Sequence, residues 1–185
     1  MHFPPSYVRY DEGSLLATRL SMMDRLIGFT LLAVALCLPA LAQSSPILLT
    51  VSGHISRYTD ARLKVYQFSE ADLQALPQHS IITQTSWTPK STFTGPLLRD
   101  ILQKAGAADG QVKLSALNDY AYTIAAHELI QYGTILARER DGRKMEIADR
   151  GPLWLIYPLD DMPARLRGPL QDAKLVWQVN RMDIR

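Results

Sequence analysis

Beyond Gln43 the chain never keeps one hydrophobic period for long, and this limits the folds open to it. Apolar and polar residues alternate in short runs, each closed by glycine, proline or an Asn/Asp turn signal. The run Ile-Leu-Leu-Thr-Val-Ser at 47–52 ends at Gly53. Arg-Leu-Lys-Val-Tyr-Gln-Phe at 62–68 alternates, as do 79–85, 111–117, 120–124 and 134–139. Asn118-Asp119 and Asp141-Gly142 sit where hairpins would turn. Leu-Trp-Leu-Ile-Tyr at 153–157 is apolar throughout and reads as a buried strand, and 174–184 as a closing one, with Trp177 and Val179 on one face. Many short strands with two or three short helices predict an α+β fold: a single compact domain with a mixed β-sheet or barrel and short helices.

The helices have local signals. Ser69 followed by Asp72 is a capping pair, and Pro77 stops the helix it opens. Residues 125–132 make a second short helical turn. A third helix is expected over 94–106. There Thr94 serves as N-cap and Pro96 lies in the first turn. Leu97, Leu98, Ile101, Leu102 and Ala105 form one apolar stripe, and Gly106 ends it in the left-handed region. Before it, Trp87 and Phe93 flank a polar, proline-containing loop. Loops on a rigid scaffold are where binding residues collect.

Residues 1–42 read as a leader and a cleaved signal peptide. Arg19 and Arg25 precede an apolar run at 26–42 that ends in the small-x-small pattern Ala40-Leu41-Ala42. The domain is then 43–185 and the expected location periplasmic. No Arg-Arg pair precedes the run, so the twin-Arg export signal is missing. The single cysteine, Cys37, lies within the signal, which leaves 43–185 without a thiol. A formal net charge of +2 and the lack of any Lys/Arg run argue against nucleic acid as a partner.

Familiar catalytic signatures are missing. There is no Gly-x-Ser-x-Gly elbow, no P-loop and no dinucleotide fingerprint. His54, His79 and His127 do not fall at metal-ligand spacing. Asp160 and Asp161 are adjacent in a polar loop, where carboxylates are usually solvated.

The order of motifs is informative. Thr92-Phe93-Thr94-Gly95-Pro96-Leu97-Leu98-Arg99-Asp100-Ile101-Leu102 comes first, then Asn118-Asp119-Tyr120. Ile135-Leu136-Ala137-Arg138 with Asp141-Gly142 follows, then Arg150-Gly151-Pro152-Leu153 and the stretch 177–184. From about residue 63 onward this resembles the sulfite-oxidase-type molybdopterin-binding fold. Enzymes of that family hold molybdenum through a cysteine upstream of the Phe-x-Gly segment; the matching stretch here, 79–87, has none. The family's Gly-x-Pro-Leu-Arg is here Gly151-Pro152-Leu153-Trp154, with the basic residue gone. A soft metal is poorly held without its thiolate.

In those departures the chain is similar to the cysteine-less periplasmic pterin-binding regulators (PruR-like). That resemblance implies a non-catalytic signalling protein without a bound metal, whose ligand is a reduced pterin of the tetrahydropterin type. Its partner would be the periplasmic domain of a membrane-bound cyclic-di-GMP enzyme. The alternative is a molybdopterin-dependent oxidoreductase subunit with an atypical metal site. A pterin is a flat, polar bicycle that wants an aromatic face and a carboxylate opposite its amino and ring N–H donors. Trp87 and Tyr120 are candidate stacking faces, with a core aromatic role as the other reading of either. Asp119 is the candidate carboxylate; its competing reading is a turn residue bonded to local backbone. Arg150 is either a contact to the ligand's carbonyl or a solvated surface arginine. Asn118 and Thr88 are further polar candidates. Trp154, in an apolar strand, reads as core.

Overall fold

Alternating side chains build three sheets in the computed structural model, which describes residues 45–185; the expected leader and signal lie outside the described residues. The largest sheet has five strands in the order β2-β1-β11-β5-β6. These are β1 (Ile47–Gly53), β2 (Tyr66–Ser69), β5 (Gln111–Ala116), β6 (Ala121–Ala125) and β11 (Val179–Ile184). β1 and β11 pair in parallel and the other neighbours antiparallel, so the sheet is mixed. Its inward residues, among them Leu49, Val51, Phe68, Val112, Leu114 and Met182, are fully buried. They share one core with Leu98 and Ile101 of α2 (Leu98–Ala105) and Leu129 of α3 (Ala126–Gln131).

A four-stranded sheet holds β3 (Gln78–Thr85), β4 (Thr88–Pro96), β8 (Glu139–Arg140) and β9 (Arg143–Lys144). β7 (Ile135–Ala137) pairs with β10 (Trp154–Ile156). Between these two sheets lies a smaller core of Phe93, Ile135, Ala137, Met145, Trp154 and Ile156, with Trp177 packed against it.

The capping pair forms as its spacing predicts. Ser69 Oγ accepts from the Asp72 N–H at 3.2 Å, and the Asp72 carboxylate accepts from the Ser69 N–H at 2.9 Å, opening α1 (Glu70–Ala75). Gly106 ends α2 at φ 65°.

Three expectations need correction. Residues 88–96 form a strand, and Thr94 caps nothing. β3 and β4 zip into a long hairpin from Gln78 opposite Pro96 to Thr85 opposite Thr88. Ser91, Phe93 and Gly95 point inward, while Thr92 and Thr94 are half-exposed. Gly95 is needed there because a Cβ would lie 2.1 Å from the Leu136 carbonyl oxygen, so β7 packs directly on its backbone. α2 starts after Leu97 without a side-chain cap; the Leu98 N–H donates instead to the Thr134 carbonyl at 2.9 Å. Tertiary pairing here overrides a local cap signal. The second strand begins at Tyr66 instead of 62, because Asp60 accepts from the N–H groups of Arg62 and Leu63 and bends the chain into a turn. The closing strand begins at Val179, and residues 173–178 form a strap that crosses the smaller core.

One ion cluster ties α1 to the smaller sheets. Arg138, 4% exposed, pairs with Glu70, which also receives Lys144 at 3.0 Å. Partial burial works to raise the Glu70 pKa, but hydrogen bonds and charge from Lys144 and Arg138 outweigh it and hold the carboxyl below its ordinary value. A carboxylate shifted down on folding stabilises the fold above its unfolded pKa. That stability is lost as the pH falls through the lowered folded value. Denaturant midpoints measured across the acid range should show this loss, and Glu70→Gln should flatten that part of the profile.

Candidate functional site

All three tryptophans of the chain meet, although they come from separate elements. Trp154 is fully buried on β10 and donates its indole N–H to the Leu175 carbonyl at 3.0 Å. Trp177, on the strap, bridges to Trp154 and stands edge-on to Trp87, with ring centroids 4.8 Å apart. Trp87 sits at the β3–β4 hairpin tip and is 37% exposed. The tip is stapled by Thr85, whose hydroxyl accepts from the N–H groups of Trp87 and Thr88, each at 3.1 Å.

Between the hairpin tip, the β5–β6 turn and the strap lies a cleft of about 270 Å³. Its walls are Trp87, Trp177, Tyr120, Leu175 and Val176, with Asn118, Asp172 and Ala173 at the polar edge. The size is just below the usual range for ligand pockets, which limits the occupant to something as small as a bicyclic ring system. Tyr120 donates its hydroxyl to the Ala173 carbonyl at 2.7 Å, joining turn to strap. Burial, with Tyr122 nearby, raises the Tyr120 pKa, so the phenol stays a neutral donor at pH 7. Asp172 ends α4 (Pro169–Asp172) and accepts from the Ser86 hydroxyl at 2.5 Å. Its other carboxylate oxygen has no hydrogen-bond partner among the described residues. Lys174 anchors the strap from outside the cleft, reaching Glu128 at 2.6 Å; the buried Tyr157 hydroxyl donates to the same carboxylate oxygen at 3.0 Å.

Three of the residues named from sequence, Trp87, Asn118 and Tyr120, therefore line one cleft, and three do not. Thr88 is buried and shares a 2.9 Å hydrogen bond with the Thr85 hydroxyl, so its side chain holds the hairpin tip together. Asp119 takes the left-handed turn position at φ 64°, and its side chain, 92% exposed, lies 3.7 Å from the Arg181 guanidinium. Its backbone is that of a turn residue, but among the described residues its carboxylate bonds no local backbone; Asn118 makes the bond of that kind, accepting from the Tyr120 N–H at 3.2 Å. Arg150 lies over Trp154 and Trp177 at 5.6 and 5.5 Å from the ring centroids, so its charge faces aromatic surface. Asp172, which sequence reasoning did not single out, supplies the carboxylate at the cleft. Trp177 reads from sequence only as part of a strand face. The Gly168-Pro169 helix start was the one local signal near Asp172, and it says nothing about where the helix ends up.

The cleft offers stacking surfaces, one carboxylate, one amide and a phenol. It offers no thiol or imidazole, and among the described residues no three His, Cys, Asp or Glu side chains gather closely enough to hold a metal ion. A molybdenum cofactor anchored by a protein thiolate does not fit this donor set.

Comparison with known proteins agrees with the architecture. The chain has an α+β fold, a mixed sheet with short helices, that is shared with a solved structure. Among solved structures it is similar to the sulfane dehydrogenase SoxCD from Paracoccus pantotrophus, with a TM-score of 0.54 and 15% sequence identity. The match covers 74% of this chain but only 37% of that one, so this chain corresponds to little more than a third of the dehydrogenase. No protein-family model and no curated protein matches.

Proposed function

We propose that this chain is a periplasmic, non-catalytic pterin-binding protein. It regulates a membrane-bound cyclic-di-GMP enzyme through that enzyme's periplasmic domain. The observation that carries the ligand reading is the cleft itself: Trp87 and Trp177 beside a carboxylate, Asp172, with one oxygen that has no hydrogen-bond partner among the described residues. A tetrahydropterin presents a flat ring to the aromatics and paired N–H donors to the carboxylate. Stacking adds about 0.5–1.5 kcal/mol beyond area burial, and the charge-assisted pair fixes orientation. The signalling partner and the location come from the resemblance of the motifs to the PruR-like regulators.

The test is anaerobic calorimetry and thermal unfolding with tetrahydrobiopterin, alongside metal analysis of protein purified from its native source. The expected result is saturable one-to-one binding. It should raise the unfolding temperature by about 8 °C at a hundredfold excess over Kd. Absence of binding overturns the ligand reading. A second reading, an oxidoreductase subunit, draws support from the sulfane dehydrogenase that shares the fold. Molybdenum near one atom per chain would favour it and overturn the regulatory one.

A further inference from the structure

The strongest unexplained surface adjoins the cleft on α4. Leu170 is 80% exposed, more than any other large hydrophobic among the described residues. It contributes nothing to either core. With Leu166 and Pro169 it lines a groove of about 310 Å³ whose charged residues are Arg165, Arg167 and Lys174. No aspartate or glutamate lines this groove. Of the neighbouring charges, Asp160 is paired with Lys90 at 3.0 Å and Lys174 with Glu128 at 2.6 Å, while Asp172 lines the cleft with Ser86 on one of its oxygens. Arg165 has no carboxylate partner among the described residues. Arg167 spends two of its N–H groups on the carbonyls of Met162 and Asp160, which holds its positive charge at the groove.

We propose that this groove docks an acidic, amphipathic segment of a partner protein. Apolar side chains of that segment would cover Leu166 and Leu170, and its carboxylates would meet Arg165 and Arg167. Charge complementarity selects the occupant, because uncompensated cationic groups beside exposed leucines favour Asp/Glu-flanked apolar residues over neutral or basic ones. A protein segment fits better than a lipid surface. The site is concave, and its lining holds two leucines and no aromatic residue to sink into an interface. α4 serves both places, with Leu170 in the groove and Asp172 at the cleft. The proposal deepens the regulatory reading above and rests on it for the meaning of docking, though not for docking itself.

The experiment places a photo-crosslinking benzoylphenylalanine at Leu166 in the full chain, in its native cells, and identifies the adduct by mass spectrometry. The expected adduct is a net-acidic segment of another protein that carries apolar residues. A synthetic peptide of that segment should then bind the full chain. Leu170→Ser and Arg165→Glu, both at exposed sites, should each weaken it about tenfold without changing tetrahydrobiopterin binding. An adduct with a second copy of this chain, or with a neutral or basic segment, overturns the proposal. So does no adduct, or unchanged peptide affinity in the two variants. Binding to phosphatidylglycerol vesicles that Arg165→Glu abolishes would also overturn it, in favour of a membrane surface. Failure of tetrahydrobiopterin to bind would overturn the ligand reading and leave the docking result standing.

Discussion

Asp172→Asn lowers the affinity for tetrahydrobiopterin by roughly 10- to 100-fold while leaving the domain folded. The magnitude follows from the contact. A hydrogen bond to a charged group contributes about 1.5–3 kcal/mol, and each 1.4 kcal/mol is about tenfold in affinity. Asparagine keeps the shape but turns one acceptor into a donor, so it cannot face two N–H groups. The fold survives because Asp172 is only half-buried and its structural contact is a single hydrogen bond from Ser86. Asp119→Asn is the matched control. Its carboxylate is exposed beside Arg181, and substitutions at such sites change free energies by no more than about 0.5 kcal/mol. Calorimetry on both variants, with thermal melts to check folding, separates the two carboxylates. If Asp119→Asn weakens binding and Asp172→Asn does not, the ligand sits over the β5–β6 turn, as the sequence alone suggests.

That contrast marks how far the sequence carries. Period-two runs with glycine or Asn/Asp punctuation locate β1, β3, β5, β6 and the short hairpin of β8 and β9, because such patterns depend on neighbours in the chain. The capping pair at Ser69 and the left-handed stop at Gly106 are local in the same sense. Residues 88–96 mislead because Thr94 and Pro96 carry a cap signal whose competitor, pairing with β3, lies more than ten residues away. The cleft was legible where its walls lie beside recognisable turns, as Trp87, Asn118 and Tyr120 do. Asp172 was not legible. Its meeting with Ser86 spans 86 positions of sequence, and it depends on a strap that has no strand partner pattern of its own. Trp177 enters the cleft for the same reason. Arg150 reads from sequence as either a ligand contact or a solvated surface arginine, but its φ of 70° and the two indoles beneath it are tertiary facts.

The other large effect falls on the fold itself. Trp154→Ala should cost about 5 kcal/mol of stability, the upper end for truncating a buried aromatic. Trp154 is fully buried, and its ring meets Phe93 edge-on at 5.4 Å and Trp177 at 6.3 Å. Truncation empties the centre of the smaller core. It removes the surface beneath Arg150 and strands the Leu175 carbonyl, whose donor is the indole N–H. Against a total stability of about 5–15 kcal/mol for a domain, such a loss brings the chain close to unfolding at 37 °C. Trp87→Ala is the informative partner, since Trp87 is 37% exposed and rests on one face of the cluster. Its removal should shift the denaturant midpoint little and reduce tetrahydrobiopterin affinity strongly. Because both rings belong to one aromatic cluster, opposite outcomes in the two assays would show that the cluster divides into a structural half and a recognition half. Equal loss of stability in both variants would mean that Trp87 is part of the core, and that the cleft is only the rim of that core.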